Sequence, residues 1–167
     1  MTTCSDKENT NRVSEEHETG LTATLYLRCG MNGAVGLRQE TLRDRFDELR
    51  RSDRVADAMI ERWERTIETP LDDDDPRSEA AETYRQLVAA VEAAGGRLEP
   101  FFEVEERDGG LLVGPRPGQR ISFPVSCLEI RRRGTITGVY PCWLGDRYYS
   151  VDDGLVELES GDPENLR

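Results

Sequence analysis

Lysine and histidine are almost missing from this chain. Among 167 residues Lys7 is the single lysine and His17 the single histidine; the other basic residues are arginines. Ser-His and Cys-His catalysis both need an imidazole beside the nucleophile, and a lone histidine in a polar N-terminal stretch does not supply one. Metal sites need Cys and His at regular ligand spacing. The four cysteines, Cys4, Cys29, Cys127 and Cys142, contain no Cys-x-x-Cys pair, so no metal and no cofactor are expected. No P-loop lysine exists. No apolar run approaches the roughly 20 residues of a helical membrane span, and the N-terminus has no apolar signal core. The protein is therefore expected to be cytoplasmic, with no membrane partner and with reduced thiols.

What is abundant is acid. Aspartate and glutamate number 34 against 22 basic residues, for a formal charge of −12. Hydrophobic residues are 36% and charged residues 34%, enough for one domain with a real core. An acidic surface with a single lysine fits a protein living in molar salt, where repulsion between carboxylates is screened within roughly 3 Å. The alternative is an acidic mesophilic protein from a GC-rich genome. The charge argues mildly against nucleic acid, although a halophile's DNA binder can be acidic overall and use a local arginine patch.

Residues 1–19 are polar and predict a disordered tail. Residues 20–161 read as one α/β domain and 162–167 as a second tail. Leu21, Ala23, Leu25 and Leu27 alternate with polar neighbours, which predicts a strand over 21–29. Gly30, Gly33 and Gly36 mark a loop. Residues 37–53 predict a helix with Leu42, Phe46 and Leu49 on one face. Residues 55–68 fit both helix and strand: Val55, Met59, Trp63 and Ile67 have helical spacing, and Met59, Trp63 and Ile67 also share a strand face. Asp72–Asp75 between Pro70 and Pro76 is an acidic loop. Ser78 is placed to cap a helix ended by Gly95 and Gly96. Leu98–Glu105 predicts a strand, and 107–120 a loop or loose hairpin.

The most determinate stretch is 121–159. Ile121, Phe123, Val125 and Cys127 alternate with polar residues, then Leu128 and Ile130 fill the other face. Arg131 to Gly134 is a turn, and Ile136 and Val139 belong to a return strand ending at Pro141. After a short loop, Ser150 and Asp153 form a capping box for a closing helix with Val151, Leu155 and Leu158 inward, stopped by Gly161.

Each chemical candidate has a plain reading beside it. Cys29, at a strand end before a helix, is the one thiol candidate for catalysis; otherwise it is an ordinary small residue, and no catalytic residue is expected. Cys127 is core packing, and Cys142 lies in a loop. Gly30, Gly33 and Gly36 follow a strand but do not form the dinucleotide fingerprint. Asp72–Asp75 is a solvated acidic loop, and Arg131–Arg133 a solvated hairpin tip.

Strand 22–28, helix 37–53, Trp63, Leu98–Phe102, Phe123–Val125, Tyr140–Cys142 and Val151–Glu159 together resemble a family of small haloarchaeal proteins often labelled as helix-turn-helix domain proteins. The resemblance covers most of 21–160 and carries no known functional residue. With 57–67 taken as strand, the order β-α-β-α, an extra strand, then β-β-α is similar to the thioredoxin fold, a single sheet flanked by helices. That resemblance implies a Cys-x-x-Cys at Cys29-Gly30-Met31-Asn32, where the second thiol is missing, and a proline at Pro124, often cis. Pro124 either opens its strand or follows a cis bond, and in the second case it lies beside the 29–36 loop.

Three functions stand against one another. The first is a non-catalytic binding or regulatory module, with a protein partner. The second is a helix-turn-helix DNA binder built on 37–53 and 55–68, with arginines 38, 43, 45, 50, 51, 54 and 62 as its basic face. The third is a thiol protein using Cys29. Strand or helix at 57–67 separates the first two.

Overall fold

The first strand buries Leu21, Ala23, Leu25 and Leu27 on one face and Thr24 and Tyr26 on the other. A computed structural model describes residues 20–72, 74–107 and 118–167. In chain order these form β1 (Leu21–Arg28), α1 (Gly33–Arg51), β2 (Asp57–Trp63), β3 (Thr66–Thr69), α2 (Arg77–Ala93), β4 (Gly96–Arg97) and β5 (Glu103–Arg107). Then come β6 (Gly118–Ser122), β7 (Ser126–Arg132), β8 (Thr135–Tyr140), β9 (Cys142–Leu144), β10 (Arg147–Tyr149) and α3 (Val151–Ser160). The protein is of the α+β class. No helix among the described residues is long and apolar enough to cross a membrane. Residues 1–19, with Cys4, His17 and the expected disordered tail, lie outside the described residues, as do 73 and 108–117.

The ambiguous segment is a strand. β2 pairs in parallel with β1, from Thr22 opposite Asp57 to Arg28 opposite Trp63, and α1 makes the crossover. β7 pairs antiparallel with β1 and β8 with β7, so the main sheet has the order β2-β1-β7-β8. The single sheet expected from sequence gives way to three: β3-β6-β5 and β10-β9-β4 are separate. The reason is visible at Pro124. A residue with no N–H to donate breaks the run 121–127; β6 before it joins one sheet and β7 after it another.

Other departures are local. α2 starts at Arg77, and Ser78 does not cap it. Asp75 instead accepts the Arg77 backbone N–H at 2.9 Å. Leu98 is followed by a turn, not a continuous strand: the N–H groups of Phe101 and Phe102 both donate to the Leu98 carbonyl, at 2.9 and 3.2 Å. The loop before α3 is a hairpin of three-residue strands turning at Gly145, too short for alternation to register. Residues 162–167, expected as a tail, run back over β8. Tyr140 Oη donates to the Pro163 carbonyl at 2.9 Å, and Asn165 brackets Val139 through its N–H and carbonyl, both at 3.0 Å.

The α3 capping box is present in full, and Gly161 ends that helix at φ 93°. α1 and α3 cover one face of the main sheet and bury Leu42, Phe46, Leu49, Val151, Leu155 and Leu158 against it. The opposite face packs Tyr26, Trp63, Phe102 and Phe123 with residues of α2.

Candidate functional site

β1 delivers Arg28 to its C-terminal end, and the chain turns away through 29–32. The broken segment 123–125 lies alongside. Arg28 N–H donates to the Val125 carbonyl and Cys29 N–H to the Trp63 carbonyl, both at 2.9 Å. Gln39 of α1 is buried and its amide donates twice, to the carbonyl of Arg28 at 3.0 Å and of Val125 at 2.8 Å. Trp63 Nε1 donates to the Pro124 carbonyl at 3.0 Å. The Trp63 ring stacks on Tyr26 at 4.7 Å and leans on Phe123 at 4.8 Å. Backbone that left both sheets thus has its polar groups satisfied by two side chains.

Among the described residues the cis X-Pro bonds precede Pro70, Pro100 and Pro141. The Phe123–Pro124 bond is trans, which corrects the cis alternative. Pro124 acts in the other expected way, by separating two strands. The junction lies beside the end of β1, held there by Gln39; the expected 29–36 loop is shorter, because α1 begins at Gly33, not at residue 37, and takes in Gly36.

A cleft of about 560 Å³ opens here, lined among others by Arg28, Arg65, Phe101, Pro124, Ser126 and Tyr148. Arg28 reaches a carbonyl, Phe123 O, at 3.3 Å and the Met31 thioether at 3.5 Å. Its Nε is buried and meets no acceptor of the protein. Burial lowers the pKa of this guanidinium, and the nearby Arg65 lowers it further. Arg28 Nε and Thr137 Oγ1 are the buried side-chain polar atoms without a partner among the described residues, and Arg28 is the charged one of the two.

The expected basic face of α1 is largely spent inside the molecule. Arg38 donates to Asp152, and Arg45 meets Asp152 at 3.7 Å and Glu159 at 2.7 Å. Arg54 donates to the Glu159 carbonyl, and Arg43 lies 4.0 Å from Asp47. The arginine-rich turn is exposed from Arg132 to Gly134, and two of its arginines are paired: Arg131 binds the buried Glu129 at 2.6 Å and Gln86 at 2.7 Å, and Arg132 binds Glu164 at 2.8 Å.

Cys29 is disulfide-bonded, which corrects the expectation of reduced thiols throughout. A sulfur already bonded to sulfur is not a free nucleophile. Cys127 and Cys142 are buried free thiols. Desolvation pushes both up, Cys142 to about 11, so neither is a thiolate at neutral pH. Asp75 of the acidic loop binds Arg77. Gly36 is required for packing, since a Cβ there would lie 2.9 Å from the Met31 carbonyl oxygen. Among the described residues no three Cys, His, Asp or Glu side chains are grouped to hold a metal ion.

Sequence reasoning missed Arg28, Arg65 and Gln39 as site residues. Gln39 carried a signal, because it interrupts the apolar stripe of α1 three residues before Leu42.

A family model described as a helix-turn-helix domain matches residues 15–163. The chain belongs to this helix-turn-helix domain family. No curated protein and no solved structure matches it. In this member of the helix-turn-helix domain family, α1 leads across residues 52–56 into a strand, and α2 leads into β4. Among the described residues no helix follows another across a short turn. The candidate site in this helix-turn-helix family member is the cleft at the end of β1.

Proposed function

We propose that the protein is a non-catalytic binding or regulatory module with a thioredoxin-like outline, working in the cytoplasm of a halophile. The observation that carries the reading is the parallel pairing of β2 with β1. It takes as strand the residues a DNA-binding helix pair would need as its second helix. It also leaves a cleft beyond the carboxyl end of β1, where open α/β sheets hold ligands. Within the main sheet, β1-α1-β2 followed later by β7-β8 and then α3 supports the outline. The bonded Cys29 and the missing second thiol support a non-catalytic role. The charge of −12 with one lysine supports high salt.

A second reading, a DNA-binding regulator, is supported by the family's description. Against it stand the internal ion pairs of Arg38 and Arg45. Fluorescence anisotropy with labelled duplex DNA, from low to molar KCl, tests both. The module gives no saturable binding. Saturable binding that weakens in Arg50→Gln and Arg51→Gln overturns it and promotes the DNA binder. Melting followed over the same KCl range tests the habitat: the midpoint is expected to rise, and a constant midpoint removes the halophile reading.

A further inference from the structure

Arg28 and Arg65 line the same cleft, and both touch Phe123: an Arg28 Nη donates to its carbonyl and its N–H donates to the Arg65 carbonyl. Neither forms an ion pair among the described residues. Of the two carboxylates lining the cleft, Asp152 is held by Arg38 and Arg45, and Glu103 is bonded to neither Arg28 nor Arg65. Arg28 has only a long bond to a carbonyl, a thioether contact and a buried Nε that meets nothing. Stability alone disfavours this arrangement at Arg28, because a neutral side chain there would leave no buried Nε without an acceptor; Arg65 is exposed and free to meet a ligand from the solvent. Local rules are broken in this way where a ligand supplies the compensation. Guanidinium groups suit carboxylate and phosphate oxygens, which they meet with paired N–H donors.

The rest of the cleft limits the ligand. Phe101 and Tyr148 stack on each other at 5.2 Å, and both line the cleft. Ser122 and Ser126 add hydroxyls. A volume of about 560 Å³ falls in the range of small-molecule sites.

We infer that the cleft binds a small organic anion, with its carboxylate or phosphate between Arg28 and Arg65 and an apolar or ring-shaped body against Phe101 and Tyr148. This deepens the module reading and rests on it. The anion completes the donors of Arg28 and cancels the opposition of the two arginines. Free protein and bound protein therefore differ most at this spot, next to Gln39 and the start of α1.

Calorimetric titration of the full chain at fixed KCl tests the site, with phenyl phosphate, benzoate and neutral phenol as probes. Phenyl phosphate or benzoate is expected to bind and phenol not; which of the two binds better separates a phosphate ligand from a carboxylate. Arg65→Gln is expected to weaken binding about tenfold or more, the loss of one charge-assisted contact. Arg28→Met is expected to abolish binding and to raise the melting temperature of the free protein, a result a purely structural arginine would not give. Equal affinity in Arg65→Gln, or a lowered melting temperature in Arg28→Met, overturns the proposal. A parallel titration with duplex DNA separates the two levels. No binding of the anions and none of the duplex overturns the anion site and leaves the module. Duplex binding that ignores Arg65→Gln, without anion binding, overturns both.

Discussion

The two faces of the main sheet are built by different means. One is aliphatic: Leu21, Ala23, Leu25 and Leu27 of β1 and Leu128 and Ile130 of β7 meet leucines of α1 and α3, with Phe46 and Tyr140 the only rings fully buried there. Apart from Val55 in the connection after α1, its buried residues come from helices and strands. The other face is aromatic. Trp63 sits at the end of β2, Phe102 after a turn and Phe123 in the break between β6 and β7. That face also carries the buried Glu129, bound by Arg131. The cleft lies where the faces meet, with Leu42 and Val151 from one and Phe123 from the other. The lesson is one of division of labour: the aliphatic face holds the fold, and the aromatic face shapes an opening.

The strongest way to break that comparison is to empty the aliphatic face. Phe46 is 0% exposed, and Phe46→Ala is expected to cost about 3–5 kcal/mol. The denaturant midpoint measures it; a loss below about 1 kcal/mol would mean α1 is not the cover of this face. Leu25→Met conserves volume and is expected to cost under about 1.5 kcal/mol.

Next in size is the buried charge on the aromatic face. The Glu129 side chain is 3% exposed and that of Arg131 28%. Arg131→Met leaves a buried carboxylate without its partner and is expected to cost about 3 kcal/mol. The double variant Glu129→Met, Arg131→Met removes both charges and is expected to return to within about 1 kcal/mol of the parent. If the double variant is as unstable as the single one, Glu129 does more on this face than fill space and neutralise an arginine.

The same division explains what could be read in the sequence. β1, α1 and α3 follow from alternation, helical spacing and a capping box, all of which act within a few residues. Trp63 could not be placed, because Met59, Trp63 and Ile67 fit two periods at once; only pairing with β1 decides it. Ile67 then belongs to another strand, β3, in another sheet. The site was less legible still. Pro124 announced a break, but its place near the end of β1 had been tied to a cis bond that the structure does not have. The meeting of Arg28 and Arg65 at one cleft was not announced at all, since 37 positions of chain separate them and nothing local links a strand end to a connector between two sheets.

A smaller effect probes how tightly α3 seals the aliphatic face. A Cβ at Gly154 would lie 2.7 Å from the Tyr140 ring. Helix propensity alone favours alanine over glycine by about 1 kcal/mol. The ring contact is expected to win, so Gly154→Ala lowers stability by about 1–3 kcal/mol. A stabilised variant would show that α3 can lift from β8 without loss, and the aliphatic face would then be the looser of the two.

The smallest effect lies at the start of the same helix. Ser150 Oγ accepts the Asp153 N–H at 3.1 Å, while the Asp153 carboxylate accepts from the Ser150 N–H and hydroxyl, both at 2.7 Å. Those two donors, the backbone one first, hold the Asp153 pKa below its ordinary value. A depressed folded pKa gives stability that is present above the unfolded value, about 3.9, and lost as pH falls through the folded one. Ser150→Ala removes the hydroxyl and leaves the backbone donor, so it is expected to cost about 1 kcal/mol at neutral pH. As pH falls through the depressed folded value, Asp153 protonates in the parent as well. The gap in melting temperature between parent and variant should then shrink without closing, because the hydroxyl still accepts the Asp153 N–H at any pH. A gap that stays constant from neutral pH down to acid would assign the whole effect to that one neutral bond and none to the carboxylate.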